Sequence, residues 1–309
     1  MPYYLRIGDG LISGILGCRE EVASPGKDDV KAFWPKALGC LRILKEGKIM
    51  PVDGPDVVLY EKKGHVGIIT MNRPERMNSL GGGLPQRVQH FWEEVSKDDD
   101  VWCAILTGTG RAFCAGADLK AAAEREVSGE VGSLIPSAVN PFKHVPTWKP
   151  TIAAINGFAL GGGFHQAMTC DIRIAADTAE LGMPEVRWNR SAGFGARLEY
   201  FQTIGIACEM LLWGERITAQ RAYEIGFVNK VVPLDKLMET AMEYAETVMD
   251  KAPASVRVHK QMIYLGRDMG IEALQAYGSA LFQPVRNMED SREGPRAFTE
   301  KRKPQWKFR

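Results

Sequence analysis

The 309-residue sequence predicts an α/β protein, with a core of strands and helices followed by a helical region. Three observations predict it. Short apolar runs rich in β-branched residues recur between positions 57 and 176, each bounded by glycine, proline or polar residues. Two of those runs lead directly into glycine-bearing turns. After Leu198 the apolar spacing changes to the helical period, and strands first with helices later suggest a β/α core carrying a helical part.

Taken in order, residues 1–55 form a leader with Pro2, Pro25, Pro35, Pro51 and Pro55 and weak periodicity. It reads as a surface extension that packs on the body or on a neighbouring subunit, and no chemistry is assigned to it. The runs 57–60 and 66–71 around Lys63-Gly64 predict a hairpin. Residues 84–96 predict an amphipathic helix with Val88, Phe91, Trp92 and Val95 near one face. Strands are expected at 101–107, 151–155 and 172–176; the polar stretch 121–141 between the first two is long enough to be mobile or functional. Helices are expected at 206–213, 218–225, 233–250, 255–265 and 271–282. The domain reading is therefore a leader at 1–55, a core at 56–200 and a helical region at 201–309.

Composition narrows the class. Hydrophobic residues make up 45% and charged residues 25%, as in soluble globular proteins. A net charge of +1 gives no broad attraction to nucleic acid or to an anionic membrane. No apolar run approaches the ~18–20 residues of a membrane helix. The apolar stretch 11–18 is broken by Gly14 and Gly17, unlike a signal peptide, and Glu20, Glu21, Asp28 and Asp29 argue against a transit peptide. Cys18, Cys40, Cys103, Cys114, Cys170 and Cys208 form no C-x-x-C pair, so the expectation is reduced thiols, no metal site and a cytoplasmic location.

The chemistry is concentrated in two stretches. Gly110-Arg111-Ala112-Phe113-Cys114-Ala115-Gly116-Ala117-Asp118-Leu119 follows the strand at 101–107. Asn156-Gly157-Phe158-Ala159-Leu160-Gly161-Gly162-Gly163-Phe164-His165 follows the strand at 151–155. Three consecutive glycines cost about 1 kcal/mol each inside a helix, but at a helix mouth they permit unusual dihedrals and close approach of a ligand. A phosphate loop is the rival reading, yet no Gly-Lys-Ser/Thr follows and the Gly-x-Gly-x-x-Gly spacing is absent. Two such turns could each donate one backbone N–H to a single oxygen, which makes an oxyanion hole.

Together the two stretches resemble the enoyl-CoA hydratase/isomerase (crotonase) superfamily. So do Met71-Asn72-Arg73-Pro74-Glu75-Arg76-Met77-Asn78, Leu106-Thr107-Gly108, Cys170-Asp171-Ile172, Met183-Pro184-Glu185, Gly226-Phe227-Val228-Asn229 and Asp290-Ser291-Arg292-Glu293-Gly294, in order along residues 56–307. The resemblance implies a β-β-α spiral core and a C-terminal helical part that builds trimers, often hexamers. It implies oxyanion donors at the N–H groups of Ala117 and Gly162. It places coenzyme A, as part of the thioester substrate rather than as a resident cofactor, along Arg76, Met77, Ala115, Asp118 and Leu119. Phe298 and Lys301 match positions that close over the coenzyme of an adjoining subunit.

The sequence also departs from the family. Hydratases of this family place two glutamates in the pocket; here the first position is His165, and the second is kept as Glu185. Histidine titrates near neutrality and can hold or deprotonate water, so the pair His165 and Glu185 remains fit for acid–base work, with either as the acid. The loop after Glu185 is bulkier and more polar than usual, and Trp188, Asn189 and Arg190 are candidates for the acyl pocket or for an altered subunit contact. The expected reaction is addition of water to an α,β-unsaturated acyl-CoA, or its removal. Double-bond isomerisation, thioester or C–C hydrolysis and decarboxylation use the same hole. RNA binding is disfavoured, because Glu93, Glu94 and Asp98-Asp99-Asp100 make the helix at 84–97 acidic.

Overall fold

The computed structural model describes residues 6–7, 10–11, 55–121, 147–190 and 193–308, so most of the leader and nearly all of the polar stretch 121–141 lie outside the described residues. The chain falls into two compact units, Met1–Ile49 and Met50–Arg309. In the first, β1 (Arg6–Ile7) pairs antiparallel with β2 (Gly10–Leu11).

The second unit holds two sheets. The larger contains β3 (Val58–Lys63), β4 (Val66–Met71), β5 (Cys103–Gly108), β7 (Thr151–Ile155), β9 (Ile172–Ala176) and β12 (Lys230–Val232), in the order β12-β9-β7-β5-β4-β3. Only the β3–β4 hairpin is antiparallel, as expected around Lys63-Gly64. Strands β4, β5 and β7 are buried nearly throughout, which is why they read as continuous apolar runs. The edge strand β3 carries Glu61, Lys62 and Lys63 instead, a composition that discourages pairing with another chain.

Alternate residues feed opposite faces of this sheet. Ile69, Met71, Leu106 and Ile155 pack on one side with Val88, Trp92 and Val95 of α1 (Leu84–Lys97) and Phe164 of α2 (Gly162–Met168). Ile68, Ile105, Ile152 and Ile174 pack on the other with Leu237, Ala241 and Ala245. The helices of the second half are α3 (Ile204–Cys208), continued by a π-helical turn over Glu209–Trp213, α4 (Ala219–Glu224), α5 (Leu237–Met249), α6 (Pro253–Gly266), α7 (Ile271–Arg286) and α8 (Asp290–Thr299). The five expected helices are present with shifted ends, and α8 is additional. The helical region is not separate from the core, because β12 and β11 (Arg216–Thr218) extend the two sheets.

The smaller sheet positions the site. It consists of β6 (Ala112–Cys114), β8 (Phe158–Leu160), β10 (Glu180–Gly182) and β11, in the order β11-β10-β8-β6. Three times the chain leaves a strand of the first sheet, β5, β7 or β9, and enters a three-residue strand of the second, β6, β8 or β10. Because β6 and β8 are parallel neighbours, the turns that follow them emerge side by side. Two buried asparagines hold the junction: Asn78 Nδ2 donates to the Ala112 carbonyl at 2.7 Å, and Asn156 Nδ2 donates to the Gly110 carbonyl at 2.9 Å.

Candidate active site

The two glycine turns meet. A Cβ added at Gly116 would stand 2.6 Å from the Leu160 carbonyl oxygen and 3.3 Å from the Gly162 nitrogen. Gly116 has φ +87°, a conformation that glycine adopts without cost. The next residue, Ala117, forms a parallel bridge with Leu80, made by the Leu80 N–H to the Gly116 carbonyl at 2.7 Å. A bridge in this register uses the peptide groups on either side of Ala117 and leaves its own N–H on the opposite side. Gly162 opens α2, where the first N–H groups have no partner within the helix. The sequence-expected donors thus sit on abutting turns.

Glu185 approaches from the short 3-10 helix Pro184–Trp188. Its Oε1 lies where a side chain on Gly161 would be, 2.6 Å from the Cβ position. Gly161 has φ +53°, so both the backbone and the space demand glycine there. Gly163 is needed for another reason: its Cβ would stand 1.9 Å from the Cys114 carbonyl oxygen, inside the backbone of β6. Burial raises the Glu185 carboxyl above its ordinary value, and its Oε2 is buried with no hydrogen bond among the described residues. A carboxyl raised in this way holds a proton more readily than an ordinary one, which suits acid–base work.

His165 shares a face of α2 with Gly162, three residues before it, and is 0% exposed. Its ring lies 4.6 Å from the Phe194 ring at an interplanar angle of 43°. Phe194 was not among the sequence candidates; its flanking Gly193 and Gly195 were the available signal. Trp188 (59% exposed), Asn189 and Arg190 lie on the surface, with the Arg190 N–H donating to the Glu185 carbonyl at 3.1 Å. The left-handed Asn189 ends the 3-10 helix.

Arg76 and Leu119 are exposed, and Met77 and Ala115 half-buried; the Ala115 N–H donates to the Met77 carbonyl at 3.0 Å, which joins the two segments into one rim. Asp118 lies on the same turn. Its side chain is buried and turned inward, accepting from Ser79 Oγ at 3.2 Å and from the Ala121 N–H at 3.1 Å, with Arg73 Nη1 at 3.7 Å. It braces the turn, which leaves only its backbone for a ligand. Phe298 is 87% exposed on the last turn of α8, and Lys301 follows in a left-handed conformation, also exposed. The Cys114 thiol is pushed up to about 12 by burial and is not fit to act as a nucleophile. Among the described residues no group of three or more His, Cys, Asp or Glu could hold a metal ion, and no helix is long and apolar enough to cross a membrane.

Comparison with known proteins agrees with this geometry. The family described as enoyl-CoA hydratase/isomerase matches residues 61–309. The chain is 38% identical over 250 residues to the (E)-benzylidenesuccinyl-CoA hydratase of Thauera aromatica, covering 80% of this chain and 97% of the relative. It is 38% identical over 251 residues to the short-chain-enoyl-CoA hydratase of Clostridium acetobutylicum, covering 80% and 95%. The crystal structure of enoyl-CoA hydratase from Bacillus anthracis superposes with a TM-score of 0.74 at 36% identity, covering 82% of this chain and all (100%) of that one. With two abutting glycine turns, a buried carboxyl beside them and a family match over most of its length, the chain belongs to the enoyl-CoA hydratase/isomerase family.

Proposed function

We propose that the chain is a hydro-lyase that adds water to an α,β-unsaturated acyl-CoA, or removes it from the 3-hydroxyacyl thioester. The observation that carries this reading is the buried Glu185 carboxyl seated on Gly161, one residue before the Gly162 N–H. The thioester oxygen accepts from the N–H groups of Ala117 and Gly162, which stabilise the enolate as charge develops. Glu185 and His165 divide the remaining work: one holds water at the β-carbon, and the other exchanges the α-proton. The relatives named above are hydratases, which supports water addition over isomerisation.

The coenzyme portion of the substrate runs along the rim of Arg76, Met77, Ala115 and Leu119, with the Asp118 backbone beneath it. No resident cofactor takes part. Phe298 and Lys301 close over the coenzyme of an adjoining subunit in a homotrimer or a hexamer. Exposed Ile204, Leu212, Trp213, Ile263 and Ile271 supply apolar surface for that assembly. We place the protein in the cytoplasm.

The test is a panel of enoyl-CoA thioesters read by mass spectrometry. Gain of water supports the reading; an unchanged mass with a moved double bond indicates isomerisation, and release of free coenzyme A indicates hydrolysis. His165→Ala sharpens it: loss of hydration with retained isomerisation would reassign the chain as an isomerase.

A further inference from the structure

The His165–Phe194 contact bears on which acyl group the site accepts. His165 and Glu185 both meet the first turn of α2, Glu185 at Gly161 and His165 at the turn's far end, where its N–H donates to the Gly161 carbonyl at 3.0 Å. These positions are one helical turn apart, about 6 Å along the axis. Phe194, in the 3-10 helix Gly193–Tyr200, lays its ring against the imidazole. The imidazole is wholly buried, and Phe194 is partly exposed. Phe164 of the same helix stacks on Phe227 at 4.5 Å, which anchors α2 in the core. Glu185 thus brings a carboxyl to the start of the turn, and His165 with Phe194 brings two rings to its far end.

We propose that Phe194, backed by His165, is a specificity-determining residue of the acyl pocket, and that it favours thioesters whose β-carbon carries a flat conjugated group, such as an aryl ring. A ring gains offset or tilted ring–ring contact with Phe194, which a short alkyl chain cannot make. Such a pair is worth about threefold to tenfold in kcat/KM beyond its apolar area. The inference rests on the hydratase reading above.

The experiment measures dehydration, because conjugation with an aryl ring opposes water addition. The substrates are 3-hydroxy-3-phenylpropanoyl-CoA and 3-hydroxybutanoyl-CoA; each loses one water to give the enoyl thioester, followed by absorbance. Their ratio within one protein includes intrinsic reactivity, so the readout is the change in the ratio of kcat/KM values between the parent chain, Phe194→Leu and Phe194→Tyr. The aryl-to-alkyl ratio is expected to fall about threefold to tenfold in Phe194→Leu and to be kept in Phe194→Tyr. An unchanged ratio in Phe194→Leu, or an equal fall in Phe194→Tyr, would overturn the proposal. Phe194→Met takes the place of Phe194→Leu if thermal unfolding shows the leucine variant unfolded. If the parent chain dehydrates neither thioester, the hydratase reading fails first; dehydration of both with an unmoved ratio removes the aryl preference alone.

Discussion

At the scale of single residues, Glu185 combines catalytic fitness with a cost to stability. Burial raises its carboxyl, so the folded state holds the proton more tightly than the unfolded state does. Stability then declines as pH rises from the ordinary value of 4.5 through the raised one, because the buried group must ionise. Glu185→Gln keeps the shape and removes the charge. It is expected to lower kcat by about 10²–10⁴, the usual contribution of a positioned acid or base. The same variant is expected to be more stable than the parent chain at pH 7, with the difference vanishing below pH 4.5, as urea unfolding at the two pH values would report. Gly161 makes the complementary case. Gly161→Ala would place its methyl 2.6 Å from Glu185 Oε1, on a backbone with positive φ. Displacing a reacting group by about 1 Å costs on the order of 10² in rate, so kcat is expected to fall by that factor with KM nearly unchanged in steady-state assays. The triple glycine marked this place in the sequence, but nothing in the local pattern reveals that Glu185 fills the space above Gly161, because that contact joins elements distant in the chain.

At the scale of elements, the sequence exposed what has its own period. Long buried strands and α1, α5 and α6 bury a face repeatedly, and their apolar spacing is visible in the local sequence. The strands β6, β8, β10, β11 and β12 hold three residues each, too few for alternation to register, and β6 reads in the sequence as part of a turn. The bracing role of the Asp118 side chain is hidden in the sequence for a related reason: its partners Arg73 and Ser79 lie far away in the chain. Helix α6 shows how such distant polar contacts fasten an element. Lys260 Nζ donates to Asp171 Oδ2 at 2.8 Å and to the Lys149 carbonyl at 2.8 Å, while Tyr264 Oη donates to Asp171 Oδ1 at 2.8 Å. These bonds tie α6 to the starts of β7 and β9. Lys260→Met leaves the Asp171 carboxylate without its cation in a largely buried place. The expected loss is about 3 kcal/mol, the lower end for a broken buried pair because Asp171 retains some access to water. Urea unfolding measures it, and a smaller loss in the Asp171→Asn background would show that the two charges act on each other.

At the scale of the whole molecule, the surface is divided between a half-buried rim at the site and scattered large apolar residues on the helical part. Trp213 is 68% exposed at the end of the π-helical turn, and Phe298 is exposed on α8. The segment behind Phe298 is firmly held: Glu293 accepts from Arg302 Nη2 at 2.9 Å, Asp290 accepts from the N–H groups of Lys307 and Phe308 at 2.9 Å each, and Trp306 Nε1 donates to the Asp250 carbonyl at 3.0 Å. A rigid support that presents an exposed phenyl ring is what closure over a neighbouring subunit's coenzyme needs. If Phe298 acts in that way, it can act only while subunits are associated. Phe298→Ala is then expected to raise KM for the thioester about tenfold with kcat little changed, and Trp213→Glu is expected to dissociate the proposed assembly and raise KM by a similar factor. The double variant should be no worse than either one, because a phenyl ring on a dissociated subunit has nothing left to lose. Light scattering on the eluting protein reports the mass, and steady-state kinetics report KM. Effects of the two substitutions that multiply in the double variant, more than about 0.5 kcal/mol away from this non-additive outcome, would mean that Phe298 closes over its own subunit's coenzyme and that assembly serves another purpose.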